Sequence, residues 1–79
     1  MKSSNASFAK ALRRLRKERH VSQEALAFEA GLDRTYISLL ELGRRSPTLD
    51  TMSAIACALN ISLIDLAEAI QASTPPPGE

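Results

Sequence analysis

Apolar residues recur along this chain at spacings of three and four, never in strict alternation, and the breaks between them fall at Gly, Asn, Pro and capping residues. The pattern predicts an all-α domain. Phe8, Leu12 and Leu15 mark a first helix from about Ser7 to Arg19, with Lys10, Arg13, Arg14 and Lys17 largely outward. Ser22 suits the cap of a second helix, about Gln23 to Ala30, whose Leu26, Ala27 and Ala30 share a face. Asp33 suits the cap of a third, about Arg34 to Leu42, with Ile37, Leu40 and Glu41 on one face and Gly43 ending it. After Arg44-Arg45-Ser46-Pro47, Thr48 can cap a fourth helix carrying Leu49, Met52, Ile55, Ala56 and Leu59. Asn60 suits a left-handed terminus, and Ser62 with Asp65 three residues on resembles a capping box opening a fifth helix. Residues 1–72 then form one domain, and the Pro-rich residues 73–79 a disordered tail.

The joint between the second and third helices is the most informative feature. Gly31 is placed where the chain must leave a helix at positive φ, and Ala27, four residues earlier, suits a close helix crossing. Leu32 can plug the angle and Asp33 can start the next helix. That spacing is the one a helix-turn-helix requires, with its second helix held outward.

Charge distribution sharpens the picture where net charge does not. The formal net charge is +1, yet all ten Lys and Arg lie at or before Arg45, against five acidic residues in residues 1–45 and four in residues 46–79. One half can face phosphate. Seventy-nine residues leave no room for a second domain, and a lone cysteine, Cys57, excludes an internal disulfide. No segment approaches the roughly 20 apolar residues of a membrane helix, and no apolar run resembles a signal peptide. A soluble, cytoplasmic protein is the expectation. His20 is the only histidine and reads as a loop residue; no metal-ligand spacing accompanies it, so no metal and no cofactor are expected. Cys57, between apolar neighbours, reads as a small buried thiol. Phe28 falls off the buried face of its helix and is either a single exposed aromatic, a cover for the end of the first helix or a partner contact, with the cover favoured. There is no nucleophile elbow and no phosphate loop, so the sequence offers no support for an enzyme.

The segment SQEALAFEAGLDRTYISLLELGRRSPTL, followed by an apolar helix ending in ALNIS, resembles the lambda-repressor-like, or XRE-type, helix-turn-helix family over about Leu12 to Leu66. Ser22, Gln23, Ala27, Gly31, Ile37, Glu41, Gly43 and Pro47 carry the likeness. The stretch from Leu32 to Ser38 is also similar to the controller proteins of restriction-modification systems. The resemblance implies a compact five-helix DNA-binding domain with the helix-turn-helix at helices 2 and 3. It implies base contacts by Arg34, Thr35, Ser38 and Leu39, the arginine suited to guanine and the methyl groups of Thr35 and Leu39 to thymine. Gln23, Tyr36, Arg44 and Arg45 would contact the DNA backbone. Arg16 and Glu41 would form a structural ion pair inside the domain.

In the fifth helix Leu63, Leu66 and Ile70 exceed what one side needs if Ile64 and Ala67 face the core, and the surplus predicts a homodimer interface. The expected function is a sequence-specific transcriptional regulator, a homodimer on palindromic double-stranded DNA, with no membrane partner and no small-molecule ligand. Controller protein, prophage-type repressor and antitoxin all fit. The rival is a protein-interaction module, such as an antitoxin whose main task is holding a toxin, with the tail as the contact segment.

Overall fold

The structure is a computed structural model and describes residues 4–75. Five helices follow in order: α1 Ser4–Glu18, α2 Gln23–Ala30, α3 Arg34–Glu41, α4 Leu49–Ala58 and α5 Leu63–Ala72. No strand occurs among the described residues. Each of α2 to α5 begins on the predicted cap: Ser22, Asp33, Thr48 and Ser62 accept from the backbone N–H of Ala25, Thr35, Thr51 and Asp65 respectively. Asp65 completes the capping box by accepting from the Ser62 N–H.

Helix ends repeat as regularly as helix starts. His20, Gly31, Gly43 and Asn60 all take positive φ, between 56° and 73°. The residue after each donates its N–H back across the turn: Val21 to the Arg16 carbonyl, Leu32 to Ala27, Arg44 to Leu39 and Ile61 to Ala56. This is the Schellman arrangement, which satisfies carbonyls the helix leaves orphaned. Three joints therefore share one unit of left-handed residue, half-buried aliphatic residue and cap, namely His20-Val21-Ser22, Gly31-Leu32-Asp33 and Asn60-Ile61-Ser62. The short unit forces each pair of helices to cross rather than run on. His20, expected as a plain loop residue, is thus the left-handed terminator of α1.

The core consists of Phe8, Leu12 and Leu15 from α1, Leu26 and Ala27 from α2, Ile37 and Leu40 from α3, Ile55, Ala56 and Leu59 around α4, and Leu66 from α5. α1 packs on α3 and α5, α2 on α3 and α4, and α4 on α5. α1 begins earlier than expected, at Ser4, because its first turn is held from outside: the Ser46 hydroxyl donates to Asn5 Oδ1 at 2.9 Å, and Ser7 is buried.

Several expected placements are corrected. α5 presents Leu66, Ala69 and Ile70 inward, so Leu66 is fully buried in its own protomer and Ile70 half-buried, whereas Ile64 is 71% exposed and Ala67 exposed. The cause is the staple geometry of a capped helix, in which the residue before the cap, Ile61, and the fourth helical residue, Leu66, turn to the same apolar side. Leu66 cannot be an intermolecular contact, and Leu63 with Ile64 is the aliphatic pair left outside. Leu49 is exposed, because the first position after the Thr48 cap lies off the α4 stripe. Cys57 is exposed, one step past the buried Ile55 and Ala56. Phe28 is 82% exposed, a single exposed aromatic and not a cover for the end of α1. At the end of α5, Ser73 and Thr74 donate hydroxyl hydrogens to the Ala69 and Ile70 carbonyls, so these first two residues of the expected tail are held to the helix. Residues 76–79 of that tail lie outside the described residues.

Candidate nucleic-acid interface

α3 is divided lengthwise by burial. Ile37, Leu40 and Glu41 face inward, while Arg34 and Thr35 at its opening turn are exposed and Tyr36, Ser38 and Leu39 are half-buried. Asp33 draws the Thr35 N–H at 2.9 Å, which fixes the opening turn without using either exposed side chain. Arg34 thus stands where a guanidinium can reach a groove, with Thr35 beside it. Ser38 and Leu39 follow on the same helix with less free surface. Tyr36 packs part of its ring against the core, so only its remaining edge is free.

Flanking α3 are the other predicted contacts. Gln23 opens α2, and Arg16, Ser22, Gln23, Glu24 and Arg34 line one cleft between the starts of α2 and α3. Arg44 and Arg45 are exposed in the segment that follows Gly43. That segment is tethered at both ends: Arg44 N–H returns to the Leu39 carbonyl at 3.0 Å, and Ser46 reaches Asn5 of α1. Two cations on a tethered segment lose less freedom on meeting a phosphate than two on a loose loop.

Beneath this surface lies the ion pair. Arg16 Nε and Nη2 donate to Glu41 Oε2 and Oε1 at 2.6 and 3.0 Å, a two-pronged contact. Arg16 Nη1 donates to the Val21 carbonyl at 2.9 Å. The Arg16 and Glu41 side chains are 13% and 3% exposed. Hydrogen bonding to Glu41, partly opposed by burial, raises the Arg16 pKa above the ordinary guanidinium value. A third donor also reaches Glu41, since Gln23 Nε2 lies 3.0 Å from Oε1. α1, α2 and α3 thereby meet at one carboxylate.

Two arginines expected on the outer face of α1 or at its end are structural as well. Arg13 donates to the Glu41 main-chain carbonyl, and Arg19 Nε donates to the Leu59 carbonyl at 2.9 Å. Arg14 pairs loosely with Glu18 at 3.5 Å, half in solvent. Lys10 and Lys17 are exposed on α1. Among the described residues no group of three or more His, Cys, Asp or Glu could hold a metal ion. No single described helix is long and apolar enough to cross a membrane.

Such an arrangement, an outward helix opened by Arg34 and Thr35 and braced by two others, defines a helix-turn-helix regulator. Residues 12–70 match the helix-turn-helix family HTH_3, and the chain belongs to that family of DNA-binding transcriptional regulators. It is 42% identical over 60 residues to control protein C.MunI of a Mycoplasma species, a match covering 75% of this chain and 81% of that protein. Its fold is similar to the restriction-modification controller protein C.AhdI from Aeromonas hydrophila, with TM-score 0.76 and 40% identity over 78% of this chain and 94% of that one. It is also similar to the controller protein C.Esp1396I, solved as a tetramer in complex with its natural 35 base-pair operator, with TM-score 0.84 and 27% identity over 92% and 96% of the two chains.

Proposed function

We propose that this protein is a sequence-specific regulator of transcription that binds a palindromic operator as a homodimer, one α3 in each of two major grooves about one helical turn apart. The observation that carries the reading is the lengthwise division of α3, exposed at Arg34 and Thr35 and anchored at Ile37, Leu40 and Glu41. Arg34 reads guanine through its paired acceptors, Thr35 and Leu39 meet thymine methyl groups, and Ser38 offers a hydroxyl to a neighbouring base. Gln23, Tyr36, Arg44 and Arg45 hold the backbone and set the register. The exposed pair Leu63 and Ile64 on α5 supplies the dimer contact, a role supported by the multimeric state of the C.Esp1396I complex. Likeness to control proteins favours a regulator of a restriction-modification operon.

The test is Arg34→Ala, measured on a duplex selected by the parent protein from a random library and on unselected duplex. A loss of about 1–3 kcal/mol confined to the selected duplex, with relaxed preference at one base pair, is the expected result. Equal weakening on both duplexes would remove Arg34 from base reading.

A further inference from the structure

Glu41 is nearly inaccessible, yet one of its three side-chain hydrogen bonds leads to the proposed DNA surface. A carboxylate accepts only, so the Gln23 group 3.0 Å from Glu41 Oε1 must be its Nε2, and the amide orientation is settled by chemistry. Gln23 is the first residue of α2 and lines the same cleft as Arg34. An exposed glutamine samples many rotamers and loses that freedom on binding, whereas one tied to a buried anion has lost it on folding. The anion itself cannot drift, because Arg16 holds both of its oxygens and the Val21 carbonyl holds Arg16.

We propose that Glu41 is a positioning residue for phosphate recognition: it holds the Gln23 side chain in the orientation that meets the DNA backbone, without touching DNA. The inference rests on the DNA-binding reading given above and adds to it a link from the buried ion pair to the contact surface. The same carboxylate then serves two ends, bracing α1 against α3 and presenting a donor from α2. A purely structural ion pair would influence binding only through the amount of folded protein. A positioning pair changes the affinity of the folded protein, and does so only while Gln23 is present.

A double-mutant cycle tests this, using Gln23→Ala, Glu41→Leu and the combination at a temperature where circular dichroism shows each variant folded. Glu41→Leu keeps the site filled with an apolar side chain and removes every acceptor from it. Each single variant is expected to weaken both the selected and the unselected duplex by about tenfold, the scale of one hydrogen bond to a charged group. The combination is expected to be no weaker than Gln23→Ala alone. Losses that multiply in the combination would overturn the proposal, and so would a Gln23→Ala protein that binds as well as the parent. A second measurement needs no variant. Side-chain amide relaxation of the parent should show Gln23 as restrained as the backbone and the exposed Gln71 mobile; equal mobility of the two would also overturn it. Failure of the parent to bind any duplex would instead sink the DNA-binding reading.

Discussion

Replacing Glu41 by alanine should be among the most damaging single changes to the stability of this domain. The substitution strands Arg16, whose Nε and Nη2 lose their acceptor and keep only the Val21 carbonyl on Nη1, and it strands the Gln23 amide as well. Breaking a buried pair on one side costs about 3–5 kcal/mol. Because Arg16 remains 13% exposed, water can reach it in the variant, which places the loss near the lower end, about 3 kcal/mol. In a domain of this size each kcal/mol moves Tm by about 4–8 °C, so the midpoint should fall by roughly 12–24 °C. Glu18→Ala is the control: its pair with Arg14 spans 3.5 Å with side chains 47% and 54% exposed, and should contribute no more than about 0.5 kcal/mol. Replacing both partners, Arg16→Met with Glu41→Leu, should recover much of the loss because no buried charge is left alone. The Arg16 pKa is raised in the folded state, so its contribution is fully present below the ordinary guanidinium value and lost only as pH rises through the raised one. The advantage of the parent over Glu41→Ala should therefore persist from neutrality to about pH 10 as far as Arg16 is concerned. Thermal melts followed by circular dichroism decide the matter, and a Glu41→Ala midpoint no lower than that of Glu18→Ala would refute the buried-pair reasoning.

Arg44→Ala with Arg45→Ala should weaken all duplexes alike and flatten the dependence of log affinity on log salt by about one unit per lost phosphate contact; an unchanged slope in a salt titration would take them off the backbone. Ile64→Lys should give a folded monomer in analytical ultracentrifugation that binds DNA at least about a hundredfold more weakly, having lost the linked second half-site. Leu66→Ala should instead cost about 2–5 kcal/mol of stability, and a stable monomer from Leu66→Ala would return that residue to the dimer surface. Gly31→Ala should cost about 1 kcal/mol or slightly more, all of it backbone strain at φ 70°, since nothing lies within 4 Å of the added methyl group. A melt equal to the parent would show that the joint between α2 and α3 can relax.

Local chemistry explains why so much of the fold was legible. A cap, a left-handed terminator and an aliphatic residue between them are all short-range signals, and Ser22, Gly31, Leu32, Asp33, Asn60 and Ser62 carry them in plain sequence. His20 occupies the same terminator position without the residue type that announces it, so only the tertiary joint reveals its role. The rotation of α5 was harder, because six aliphatic residues in eight positions from Leu63 to Ile70 fit more than one inward face. The repeated staple resolves it: Leu26, Ile37 and Leu66, each the fourth residue of its helix, lie in the core, and Val21, Leu32 and Ile61, each the residue before a cap, pack half-buried against it. Charges followed a different logic. Arg13 and Arg19 look like parts of one solvated basic face, but their acceptors at Glu41 and Leu59 lie 28 and 40 residues further along the chain. No spacing rule within α1 distinguishes an arginine that braces from one that binds. What separates them is the fold: the helix crossings made by the short joints bring those acceptors to α1, whereas Arg34, Arg44 and Arg45 stand at the exposed start and end of α3 with their side chains turned to solvent.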